Sequence, residues 1–96
     1  MKIRNRSHEH KEIEEVILTA SEISGVSIDT LRKSGGTRTA TRVRRILAKI
    51  LINVYGLQQA DAARYLGISE PSVSRFLNER LDPSSIILMK SIKRSK

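Results

Sequence analysis

The chain has no cysteine and no tryptophan, and only three aromatic residues in 96: Tyr55, Tyr65 and Phe76. Without cysteine there is neither a disulfide framework nor a thiolate metal site, which suits a reducing cytosol. Without aromatics the core has to be aliphatic, and Ile, Leu and Val supply 26 residues for it. No apolar run exceeds a few residues, and the N-terminus carries no hydrophobic export segment, so the expected location is the cytoplasm. At 39% apolar content, 96 residues support a single domain, 1–96, and leave no room for a catalytic domain beside a binding one.

The middle third also lacks acid. Residues 30–60 hold 7 basic groups and no Asp or Glu, against 4 basic and 6 acidic in 1–29 and 7 and 4 in 61–96. A basic stretch with nothing to offset it is the footprint of a polyanion partner, because each phosphate contact releases condensed counterions. A membrane surface would ask for bulky aromatics on a basic helix, and this stretch has only Tyr55.

What is present is helical periodicity, and no useful length alternates with period two. The spacing predicts a first helix from about His8 to Ser24, with Ser7 as cap, Gly25 as stop, and Ile13, Val16, Ile17, Ala20 and Ile23 on one face. A short helix follows from a Ser27 cap to Lys33, burying Ile28 and Leu31. Ser34-Gly35-Gly36-Thr37 reads as a flexible connection. The longest helix is expected over about Arg38 to Tyr55, its core stripe being Val43, Ile46, Leu47, Ile50, Leu51 and Val54. At 100° per residue Arg38, Arg42, Arg45 and Lys49 gather into a basic rail on roughly the opposite side. Arg45 and Lys49 are read as solvated. Arg38 and Arg42, next to the Gly-Gly loop, are read with Thr37 as phosphate or minor-groove contacts. A last helix starts at Asp82-Pro83 and runs to about Ile92, and its apolar residues either close the core against the first helix or expose a patch to a partner. Lys93 to Lys96 read as a frayed basic tail.

Residues 58–80 carry the most specific pattern. Ala62, Ala63 and Leu66 give one helix a small, apolar inner face, Gly67 ends it, Ile68 plugs the corner, and Ser69 caps a second helix with Pro71 in its first turn. Val73, Phe76 and Leu77 are its buried side. Glu70, Pro71, Ser72, Ser74, Arg75, Asn78 and Glu79 remain outward, a slim polar face of the kind that enters a DNA major groove. The expected fold is therefore all-α, a small bundle of five or six helices containing a helix-turn-helix. Its DNA-binding residues would be Gln58, Gln59, Ser69, Glu70, Pro71, Ser72, Ser74, Arg75 and Asn78 with Thr37, Arg38 and Arg42, the basic loop and helix start spanning about 34–45.

On these residues the chain resembles, from about Glu12 to Asn78, the C-terminal DNA-binding domain of the bacterial replication initiator DnaA, a Trp-repressor-like helix-turn-helix. The matching features are Val26 to Leu31 before a basic loop, Thr41-Arg42-Val43-Arg44-Arg45 opening a long helix, and Gln58 to Asn78. The resemblance implies a basic loop over Thr37 to Arg42 in the minor groove and Ser69 to Arg75 reading the major groove. Where the initiator has an Asp-His pair before a Thr, this chain has Glu70-Pro71-Ser72. The form Gly67-Ile68-Ser69-Glu70-Pro71-Ser72-Val73-Ser74-Arg75 is more similar to the DnaA-like tail of REP-associated tyrosine transposase-like proteins. There the tail follows a nuclease, which implies an isolated or truncated C-terminal domain here.

No Gly-x-x-x-x-Gly-Lys-Ser/Thr occurs, so no ATPase is expected. His8 and His10 stand two apart without further ligands at a metal spacing, and Tyr55 and Tyr65 have no activating base at a fixed offset. The expectation is a nucleoid-associated binding protein whose partner is double-stranded DNA, with no enzyme activity, cofactor, metal or small-molecule substrate. Two alternatives stand beside it. One is a free-standing dimeric repressor. The other is a protein-interaction domain using the last helix, through which a second copy or a missing catalytic domain would bind.

Overall fold

Residue 38 begins the element around which everything else is arranged. The computed structural model describes residues 6–94, and among them there are six helices and no strand. These are α1 (Arg6–Ser24), α2 (Ile28–Leu31), α3 (Arg38–Asn53), α4 (Gln59–Leu66), α5 (Glu70–Asn78) and α6 (Pro83–Arg94). All five other helices pack on α3. Its buried residues Val43, Ile46, Leu47, Ile50 and Leu51 form the stripe that the spacing predicts. At roughly 1.5–3 kcal/mol for each large aliphatic side chain removed from water, that stripe alone supplies on the order of 10 kcal/mol. An exposed ion pair contributes about 0–1 kcal/mol, so apolar packing and not surface charge decides this architecture.

Against α3 lie Ile13, Val16, Ile17 and Ala20 of α1, Leu31 of α2, Ala62, Ala63 and Leu66 of α4, Val73 and Phe76 of α5, and Ile92 of α6. The last helix does close the core, packing on both α1 and α3. It also keeps apolar surface outside, since Ile86 is 38% and Ile87 66% exposed. No described helix is long and apolar enough to cross a membrane.

Several ends differ from the periodic expectation. α1 already includes Arg6, so Ser7 lies within the helix and does not cap it. Gly25, at φ 79°, does stop it, its N–H bonding the Ser21 carbonyl at 2.9 Å. Ile23 in the last turn is 41% exposed because the core ends a turn earlier. α2 is one turn, capped as expected by Ser27, whose hydroxyl accepts from the Thr30 N–H, and its half-buried Ile28 leaves Leu31 as the anchor. α3 stops at Asn53, and both Val54 and Tyr55 turn their N–H groups onto the Ile50 carbonyl. Val54 therefore leaves the stripe and is 53% exposed. α6 continues to Arg94, so Lys93 and Arg94 are helical, while Ser95 and Lys96 lie outside the described residues.

Candidate nucleic-acid interface

The connection between α4 and α5 is three residues, Gly67-Ile68-Ser69, and each has a mechanical role. Gly67 sits in the left-handed region, φ 64° and ψ 33°, and Ile68 bonds back to the Ala63 carbonyl at 3.0 Å. The glycine is required for a second reason. A Cβ at this position would run into the backbone carbonyl of Arg32 and come within 2.9 Å of the Lys33 Cα. The turn therefore rests directly on the chain leaving α2. Ser69 then caps α5, its hydroxyl accepting from the Ser72 N–H at 3.3 Å and lying 3.0 Å from the Ser72 hydroxyl.

Burial divides α5 only in part as its sequence implies, since Leu77, expected on the buried side, is half-buried. Val73 is fully buried and Phe76 nearly so, whereas Glu70, Pro71, Arg75 and Asn78 are exposed and Ser72 and Ser74 half-buried. Glu79, expected on the same outward face, is instead bound to Arg45 Nε at 2.7 Å. Gln58 and Gln59 are exposed at the start of α4, where Gln58 closes the first turn through its carbonyl and not its side chain.

At the other end of the candidate surface, Thr37 caps α3 by accepting from the Ala40 N–H at 3.1 Å, and Arg38, Thr39 and Arg42 are exposed. The glycine pair before them is not a loose tether. Gly35 and Gly36 both have positive φ, and the Gly35 carbonyl accepts a 2.5 Å hydrogen bond from Arg44 Nη2. The same nitrogen donates to the Thr30 carbonyl at 2.8 Å. Arg44 is only 2% exposed, and its Nε is buried with no partner. Desolvation pulls its pKa down, but a guanidinium stays charged, so a fixed cation stands behind the loop.

Reading the sequence as one basic edge hid Arg44, although its spacing could have revealed it. It lies four residues after Ala40 and three and four before Leu47 and Ala48, all buried.

The rail itself divides. Arg38 and Arg42 face solvent, but Arg45 and Lys49 do not form the solvated edge expected of them. Arg45 pairs with Glu79 and lies over the Phe76 ring, 5.8 Å from its centre, while Lys49 donates to the Leu77 carbonyl at 3.1 Å. The C-terminal half of α5 crosses this part of α3 and consumes both cations. Compared with protein families, curated proteins and solved structures, the chain matches none.

Of the two histidines, His8 lies outside the described side chains. His10 Nδ1 shares a 2.6 Å hydrogen bond with the Tyr65 hydroxyl, and its Nε2 is 3.5 Å from Glu14, which also pairs with Arg32. These contacts tie the start of α1 to α4 and to the end of α2. Among the described residues, no three His, Asp or Glu side chains group as metal ligands.

Proposed function

We propose that this chain is a sequence-specific double-stranded DNA-binding module of the nucleoid, acting by binding and not by catalysis. In this reading α4, the Gly67 turn and α5 are a helix-turn-helix. The first turns of α5 enter the major groove, and the loop ending at Thr37, with Arg38 and Arg42, grips the adjacent backbone or minor groove. The proposal includes the resemblance to the DnaA C-terminal domain and its transposase-like relatives.

One observation carries it. α5 buries Val73 and Phe76 while its other side offers short hydroxyls, a proline and a single exposed arginine, Arg75. Small side chains let a helix approach base edges, and an arginine among them can hold a guanine by two hydrogen bonds. The exposed cations Arg38 and Arg42 at the start of α3 supply charge for phosphates.

Selection from a random duplex pool, followed by titration of the recovered site, tests the reading. Arg75→Ala is expected to cost about 1–3 kcal/mol on the preferred site and to relax one base preference, whereas Arg42→Ala weakens most sequences alike. Equal losses for Arg75→Ala on every sequence would remove base reading from the proposal. A second reading, association through α6, is favoured by the exposed Ile86 and Ile87. It predicts self-association in sedimentation that an Ile87→Lys change abolishes, with no affinity for duplex DNA at low salt.

A further inference from the structure

Beyond the α5 face, an open groove of about 620 Å³ lies between the first turns of α3 and the chain joining α5 to α6. Four arginines line it, Arg38, Arg42, Arg45 and Arg80, together with the carboxylates of Glu79 and Asp82. Four positive and two negative charges leave a formal surplus of two. Glu79 is already satisfied by Arg45, and Asp82 stands at the start of α6, within reach of the Arg42 charge. Arg38 and Arg80, both exposed, form no hydrogen bond or ion pair among the described residues.

Nothing in the fold uses these two cations. Held with Arg42 around one groove, these like charges repel one another, a cost that an anion would relieve. The groove also suggests the form of that anion. It is open to solvent, Arg38, Arg42 and Arg80 are long exposed side chains, and Arg38 and Arg42 stand one turn apart, about 6 Å along the helix. An enclosed nest of backbone N–H groups would suit a single small phosphate; spaced guanidinium forks suit a series of phosphodiesters. The half-buried Thr41 adds a hydroxyl of the kind that hydrogen-bonds phosphate oxygens.

We infer that this groove seats the sugar-phosphate backbone of one DNA strand, with Arg80 as a phosphate contact outside the helix-turn-helix face. The inference rests on the DNA-binding reading and adds to it. With α5 in a major groove and the α3 side at the neighbouring minor groove, the strand that divides the two grooves runs between them.

The test is the salt dependence of duplex binding, followed by fluorescence anisotropy of a labelled site for the native chain, Arg80→Ala, Arg80→Lys and Lys90→Ala. Lys90 is an exposed cation on α6 that does not line the groove. Arg80→Ala is expected to weaken every duplex about three- to ten-fold at low salt and to lower the log–log salt slope by about one. Arg80→Lys keeps the slope, and Lys90→Ala changes neither quantity. An unaltered slope for Arg80→Ala overturns the groove assignment while leaving the α5 reading intact if Arg75→Ala still loses the preferred site. No binding by the native chain at low salt ends both. Sodium phosphate that displaces the duplex saturably, beyond a chloride control of equal ionic strength, would assign the groove to a free phosphate and overturn the strand.

Discussion

At the scale of single residues, Gly67 and Gly35 separate two reasons for a glycine. Both have positive φ, 64° and 83°, but a Cβ on Gly35 meets nothing within 4 Å whereas one on Gly67 strikes the Arg32 carbonyl. Gly35→Ala should cost only the left-handed strain, about 1–2 kcal/mol, and Gly67→Ala distinctly more, because backbone and not a flexible side chain has to move. Urea unfolding midpoints compare them, and equal losses would contradict the close approach. Arg44 gives the second prediction. Arg44→Met keeps the apolar stem and removes the donors to Thr30 and Gly35, which should cost about 1–3 kcal/mol in stability and speed amide exchange over residues 34–37. Unchanged exchange there would separate Arg44 from the loop. The Gly67 bend was legible because a glycine before a capping serine is a local signal. Its contact with Arg32 was not, since nothing in residues 66–69 refers to a residue 35 positions before Gly67.

Among the elements, the number of helices and their buried faces could be read from apolar spacing, because most of these helices present one stripe to a single central partner. Ends were less legible. Ile23 and Val54 continue their stripes by periodicity, yet Ile23 lies in the last turn of α1 and Val54 just past the end of α3, and both are exposed. Arg45 and Lys49 repeat the spacing of Arg38 and Arg42, but the crossing of α5 over α3 is a tertiary event that no spacing records. The start of α6 was legible from Asp82-Pro83, and it yields a pH prediction. The Asp82 carboxyl is held below the usual aspartate range first by the Ser85 side chain, against desolvation as the next-largest effect, with backbone N–H groups and the Arg42 charge adding smaller downward pulls. The buried Ser85 Oγ nonetheless has no partner within hydrogen-bonding geometry, so the backbone N–H groups and the Arg42 charge are the firmer part of that hold. A carboxyl with a lowered folded-state pKa stabilises fully above its unfolded value and loses that contribution as pH falls through the lowered one. Asp82→Asn, which can still cap, should therefore flatten the acid limb of thermal stability measured over a pH series. Superimposable acid limbs for the two proteins would refute the role.

For the molecule as a whole, charge was the most legible property and its use the least. The formal net charge is +8, but Arg44 is interior, Arg45 pairs with Glu79, and Arg32 and Arg64 pair with Glu14 and Asp61. On the DNA-binding proposal, with Arg38, Arg42, Arg75 and Arg80 as the main exposed contacts, a log–log salt slope of about −3 to −5 is expected, well short of what net charge alone would imply. A slope near −8 would mean that the whole basic surface engages indiscriminately. Arg32 and Lys33 abut the Gly67 bend, and the carbonyls of Thr30 and Gly35 are fastened by Arg44, so one short stretch of backbone holds both arms of the molecule. Such a body is a caliper with a locked jaw. Under the DNA-binding proposal it would fit the groove spacing of one duplex form, and an A-form helix, with its deep, narrow major groove, would be rejected by gauge without any contact to a 2′-hydroxyl.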